Sequence, residues 1–228
     1  RYSMSELIRI GGIQPLMKVL LQAGLLHGDC LTVTGKTLAQ NLRGVKAYPA
    51  GQQIVRPLAD PIKAESHLVV LYGNLAPEGA VIKPSAASPE LMRHRGRAIV
   101  FDSPPEMNAA LSDPAFDCDE TCVIVLRNAG PVGGPGMPEW GNLPIPRKLL
   151  QRGVRDLVRI SDARMSGTHY GTCVLHVSPE SAVGGPLALV RNGDTIELDG
   201  EARALNLLVD DAELASRRAA WSAPAQPY

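Results

Sequence analysis

From His67 onward the chain advances in short runs of β-branched and apolar residues broken by turns, and that rhythm limits its possible folds more than any other feature. The runs are His67 to Tyr72, Ala98 to Phe101, Thr121 to Leu126, Leu157 to Ile160, Cys173 to Val177, Leu187 to Val190, Thr195 to Leu198 and Ala204 to Val209. Asn192-Gly193 lies between two of them and offers the φ > 0 residues that a tight hairpin requires. Three convincing helices interrupt the series: Pro104 to Leu111, opened by a Ser103-x-x-Glu106 capping box, Pro146 to Gln151, stopped by Gly153, and Asp211 to Ala220. Eight strands against three helices is too strand-rich for a regular βαβ alternation. The expected fold is therefore α+β, a closed or nearly closed β-barrel flanked by helices.

The first sixty residues differ in character. Ser3-x-x-Glu6 is a capping box, and Leu7, Ile8, Leu16, Met17, Leu20 and Leu21 give helical apolar faces broken at Gly11-Gly12 and Pro15. Gly24 ends the second helix, Thr34 to Leu42 reads as a third, and a Pro/Gly-rich loop runs from Arg43 to Pro61. We therefore expect a helical segment over 1–60 that belongs to the edge of a neighbouring domain, followed by a barrel domain over 61–228. The opening on Arg1 and the linker-like Ala223 to Tyr228 suggest a portion of a longer polypeptide.

Lys plus Arg and Asp plus Glu both total 23, so no net charge favours nucleic acid or an anionic membrane surface. No apolar run approaches the ~18 residues of a spanning helix. Four cysteines do not make a disulfide framework at this length, and buried thiols in a reducing cytoplasm account for them. Cys118 and Cys122 form C-x3-C without the second pair or the histidines that a zinc site requires.

Two segments concentrate chemistry. Asn128 to Gly141, directly after an apolar strand, is dense in glycine and proline and holds Glu139 as its one acid. Such a backbone lets a ligand approach closely, and a carboxylate on it suits a hard, oxygen-preferring cation or a general base. A long connection with a solvated glutamate is the alternative. Ser161 to Thr172 gathers Asp162, Arg164, Ser166, Thr168 and His169 between two strands. Ser166 beside Gly167 can expose a hydroxyl, Arg164 can hold a substrate carboxylate, and Asp162 can orient Arg164. No G-x-S-x-G elbow supports a serine-hydrolase triad with His169, and a turn that satisfies its own backbone remains the alternative. Thr34-Gly35-Lys36-Thr37 lacks the first glycine of a phosphate loop.

Five segments taken together are distinctive: Gly11 to Lys18, Leu25 to Thr37, Gly73 to Gly79, Gly133 to Glu139 (G-G-P-G-M-P-E) and Arg164 to Thr168 (R-M-S-G-T). In this order they resemble the dihydroxy-acid and sugar-acid dehydratases across nearly the whole chain. The resemblance implies the swivelling β-barrel domain of that family, preceded by the tail of its N-terminal domain. It also implies a hydro-lyase that converts a 2,3-dihydroxy carboxylate into a 2-keto-3-deoxy acid with Mg²⁺ and an iron–sulfur cluster. In that chemistry the cluster is a Lewis acid toward the leaving hydroxyl, Mg²⁺ holds the substrate, and a serine takes the C2 proton. Carried over motif by motif, Glu139 resembles a magnesium ligand, Ser166 the base, and Thr168 a residue that hydrogen-bonds substrate or serine.

The family's cluster cysteines match none of Cys30, Cys118, Cys122 or Cys173, so the cluster ligands are expected on an N-terminal domain outside this sequence. The chain alone is expected to be inactive, and the complete enzyme is expected to be a cytoplasmic homo-oligomer without nucleic-acid or membrane partners. Met165 before the serine resembles the sugar-acid branch, with arabinonate or xylonate as substrate class. A dihydroxy-acid dehydratase of branched-chain amino-acid biosynthesis, and a non-catalytic barrel that binds a partner or a small acid, are the competing readings.

Overall fold

A computed structural model describes residues 2–62, 67–136, 138–164 and 170–225. The chain divides into two compact units, 1–65 and 66–228.

The first unit holds three short helices, α1 (Met4–Arg9), α2 (Gln14–Gln22) and α3 (Leu38–Leu42). The Ser3/Glu6 capping box forms as expected, and a second box joins Thr37 to Gln40, so the third helix begins after Thr37 and not at Thr34. The Lys18 ammonium donates to Val45 O at 2.6 Å and the Tyr48 hydroxyl to Gly12 O at 2.6 Å, which ties the irregular stretch to the helices. Little apolar surface is buried: Met4, Ile8, Ile13, Leu25, Leu31 and Val33 are all exposed. Cys30 is exposed as well, which corrects the expectation of a buried thiol, because this unit has too thin a core to cover it.

The second unit is a barrel-like sheet of eight strands: β1 (Val69–Leu71), β2 (Gly79–Ile82), β3 (Arg93–Phe101), β4 (Val123–Leu126), β5 (Val158–Ser161), β6 (Cys173–Ser178), β7 (Thr195–Asp199) and β8 (Ala204–Leu207). Their order is β1-β2-β6-β5-β4-β3-β7-β8. Strands β3, β4, β5 and β6 are parallel neighbours and the remaining pairings in that order are antiparallel. The ring is drawn together where Tyr72 bridges Ala204, with Leu205 N donating to Tyr72 O at 2.8 Å. The Asn74 side chain prolongs that contact by pairing with both backbone groups of Leu207.

One expected strand and one expected hairpin differ. Leu187 to Val190 is not extended: Pro186–Leu189 makes a 3₁₀ turn, started by a proline that needs no N–H there. Asn192-Gly193 consequently joins that turn to β7 and no hairpin forms. Its side-chain oxygen instead accepts from Val100 N at 2.7 Å, and Gly193 N donates to Ala98 O. Strand β2, hidden in a four-residue run, takes the missing place in the sheet.

The helices α4 (Pro104–Ser112), α5 (Arg147–Gln151) and α6 (Asp211–Ala220) lie where the sequence places them. Ser103 accepts from Glu106 N, but the Glu106 carboxylate turns back to Asp102 N, so only half of that capping box is made. Alternate residues of β4 enter two separate cores. Val123 and Val125 pack inside with Leu71, Ile160 and Leu205, whereas Ile124 and Leu126 pack outside with Met107, Leu149 and Leu157. A strand covered on both faces reads as a continuous apolar run, which is why Val123–Leu126 is so plain in the sequence.

Candidate functional site

Both chemistry-bearing segments follow parallel strands, Asn128 to Gly141 after β4 and the stretch from Asp162 after β5. Parallel strands point the same way, so the two loops share the carboxyl end of the sheet, where α/β proteins commonly place ligands. The loops are joined directly. Gly141 N donates to Arg164 O at 3.0 Å, and Arg164 Nη1 meets Glu139 Oε1 at 3.1 Å. Glu139 keeps 49% of its side chain exposed, so it can still offer oxygen to a ligand.

Gly130 and Gly133 of the first loop serve the protein's own groups. Val132 N and Gly133 N donate to the Glu180 carboxylate at 2.9 and 3.2 Å. A Cβ on Gly130 would lie 2.3 Å from Glu180 Oε2, so only glycine admits that carboxylate. Beside Gly130 that space is taken by Glu180, whereas a Cβ on Gly136 would meet nothing within 4 Å.

Asp162 also does something other than expected. It is buried, with Oδ1 accepting from Ala129 N at 2.9 Å and Oδ2 from Ser181 N at 2.8 Å and from the Ser181 hydroxyl. It pins the starts of three connections and does not orient Arg164 through any of these bonds. Ser166, Thr168 and His169 lie outside the described residues, as does Met137.

A cavity of about 580 Å³ opens beside Arg164, lined also by Glu78, Asp162, His176, Pro179 and Glu180. His176 sits at φ 54°, where β6 slips register against β2, and its amide donates to Ala163 O at 3.1 Å. Burial, and then the neighbouring Arg164 guanidinium, hold its imidazole below the usual range. Sequence reading assigns no role to His176, Glu180, Ser181, Asp156 or Arg159. A visible signal was the arginine inside the apolar run Leu157 to Ile160.

Glu139 fits a magnesium ion as one carboxylate donor. The cysteines do not fit an iron–sulfur cluster. Cys30 belongs to the first unit, and Cys118, Cys122 and Cys173 are buried in the outer core of the second. Burial pushes the Cys118 thiol up to about 12 and the Cys173 thiol up to about 11, against the thiolate a metal needs. Among the described residues no three His, Cys, Asp or Glu groups are placed to hold a metal ion, and no helix is long and apolar enough to cross a membrane.

A mixed barrel with polar loops gathered at the carboxyl ends of its parallel strands is a class of ligand-binding architecture, and comparison with known proteins specifies it. Residues 53–228 match the dihydroxy-acid/6-phosphogluconate dehydratase C-terminal model, and residues 1–41 match the corresponding N-terminal model. The chain belongs to the dihydroxy-acid/6-phosphogluconate dehydratase family. It is 51% identical to an L-arabinonate dehydratase of Rhizobium leguminosarum bv. trifolii over 97% of this chain and 38% of that protein. A dihydroxy-acid dehydratase of Chromohalobacter salexigens is 54% identical over 100% of this chain and 39% of its own length. A 6-deoxy-6-sulfo-D-gluconate dehydratase of Pseudomonas putida is 53% identical over 92% and 36% respectively. The chain thus spans well under half the length of the relatives it matches.

Proposed function

We propose that this chain contributes the barrel-borne half of a dehydratase active site, acting on a sugar acid. The observation that carries the reading is the join between the loops: Arg164 holds Glu139 and Gly141, and only Met165 separates Arg164 from Ser166 in the chain. Two residue steps span at most ~7 Å of chain, and that short tether supports reading Ser166 together with the Glu139 loop.

In this reading Ser166, as the alkoxide, takes the C2 proton, the C3–O bond breaks, the departing hydroxide takes that proton back from Ser166 to leave as water, and the resulting enol tautomerises to the 2-keto-3-deoxy acid. Thr168 hydrogen-bonds substrate or serine, Arg164 offers its guanidinium to the substrate carboxylate, and Glu139 gives one oxygen to magnesium. Magnesium, when bound, supplies positive charge that acidifies a proton beside a carboxylate. Residues 1–60 are the tail of an N-terminal domain, and the iron–sulfur ligands lie in that domain; none of the steps assigned to this chain runs through the cluster.

Relatives named for sugar acids and for dihydroxy acids match this chain about equally, so the sugar-acid choice rests on Met165 before the serine. The test is a substrate panel on the complete polypeptide with Mg²⁺: arabinonate, xylonate and a branched 2,3-dihydroxy acid, followed by detection of the 2-keto product. Preferred turnover of an aldonic acid supports the proposal. Preferred turnover of the branched acid selects the biosynthetic alternative, and a complete protein that binds an acid without turning it over selects the binding module.

A further inference from the structure

Beneath the two loops lies a charged pair that the proposed chemistry does not use. Arg159 is 3% exposed in β5, on the outward face, in register with Ile124 on one side and next to Cys173 on the other. Buried ion pairs are costly to desolvate and can often be replaced by apolar residues without loss of stability. An arginine here is therefore poorly explained by folding alone.

Its hydrogen bonds suggest a purpose. Nη1 donates to Leu143 O at 2.8 Å, Nη2 to Tyr170 O at 3.1 Å and to Asp156 Oδ1 at 3.0 Å, and Nε to Leu157 O at 3.2 Å. Leu143 follows Glu139 by four residues and Tyr170 follows Ser166 by four, so one guanidinium grips the outgoing end of both segments. Asp156 holds the second segment again: its carboxylate accepts from Thr172 N at 2.8 Å and the Thr172 hydroxyl at 2.6 Å, and from Ser88 N at 3.0 Å. Gly171 makes this possible. It sits at φ 104°, and a Cβ there would lie 1.9 Å from Arg159 Nη2.

We propose that Arg159, braced by Asp156, is a positioning residue that sets the Glu139 loop and the Ser166 segment in register with each other. The proposal rests on the roles given above to Glu139 and Ser166. A planar fork can hold two carbonyls and a carboxylate at once, and a lysine ammonium on a longer, flexible stem cannot reproduce that geometry. A base displaced by ~1 Å loses roughly 10²-fold in rate while substrate still binds.

The experiment uses the complete protein with Arg159→Lys and the shape-conserving Asp156→Asn, beside Ser166→Ala and Glu139→Gln. Readouts are kcat, KM, thermal midpoint and the emission of Trp140, which lies next to Glu139, taken as the difference between each protein and its Trp140→Phe counterpart. For Arg159→Lys we expect kcat to fall ~10²-fold with KM within ~3-fold of wild type, and a shift of Trp140 emission in the absence of substrate. Asp156→Asn should show the same pattern more weakly, and decides the matter if the lysine variant does not fold. Unchanged kcat and emission in folded variants overturn the inference while losses in Ser166→Ala and Glu139→Gln leave the functional reading intact. Full activity in those two variants overturns both.

Discussion

The parallel strands β3 to β6 and the antiparallel strands β1, β2, β7 and β8 share one barrel but meet different surroundings. Every residue of β4 and β5 is buried, and Arg159 and Ser161 in β5 are covered as completely as the valines beside them. In β7 burial alternates, with Ile196 and Leu198 inward and Thr195, Glu197 and Asp199 toward solvent. The parallel strands require long crossovers, and those crossovers carry Glu139, Arg164 and the buried ties to Asp162 and Asp156. The antiparallel pair β7–β8 closes with a short turn, and the β1–β2 connection lends the cavity only Glu78. The lesson is a division of labour: one half of the sheet closes the barrel and the other half holds two irregular loops still.

That contrast makes a graded set of predictions. Ile124→Ala, in the doubly covered strand, should destabilise the protein by ~3 to 4 kcal/mol in urea unfolding, because it leaves a cavity in the outer core. A cost below ~1 kcal/mol would show that the outer layer repacks freely. The charged ties come next. Burial raises the Asp156 carboxyl, but the Thr172 hydroxyl and amide and the Ser88 amide outweigh it and hold that carboxyl below the usual range. Asp194 is likewise lowered, burial being outweighed by its bonds to Arg217 and Arg191 N. A depressed folded-state value stabilises above the unfolded value of ~3.9, and that contribution is lost as pH falls through the folded value. Stability should hold down to about pH 4 and then decline, with Asp156→Asn reducing the slope of the decline below that pH. An unchanged acid limb would remove Asp156 from the account. Smallest is Val70→Ala in β1, 42% exposed, expected to cost less than ~1 kcal/mol on the same urea scale.

Sequence reading recovered the parallel strands because continuous apolar runs bounded by turn residues have few other homes. The helix ends were equally plain, since caps are local chemistry: Ser3/Glu6 and the start of α6 at Asp211 stand where the sequence places them. What escaped depended on distant partners. Gly79–Ile82 is short and becomes a strand only by lying between β1 and β6. Leu187 to Val190 has strand-like composition, yet Pro186 and the burial of Leu187 and Leu189 select a 3₁₀ turn. In the site, Glu139 and Arg164 were each singled out, but their pairing across 25 residues was not. Nothing local announces that Asp162 serves Ala129 and Ser181, or that Gly130 makes room for Glu180.

The central claim is that the two loops form one proton-abstracting site, and solvent deuterium exchange at C2 of a sugar acid tests it most directly. In the complete protein with Mg²⁺, Ser166→Ala should lower exchange by ~10² to 10⁴-fold while substrate affinity stays close to wild type, as expected for loss of a base. Exchange at the wild-type rate in a folded Ser166→Ala protein would contradict the account.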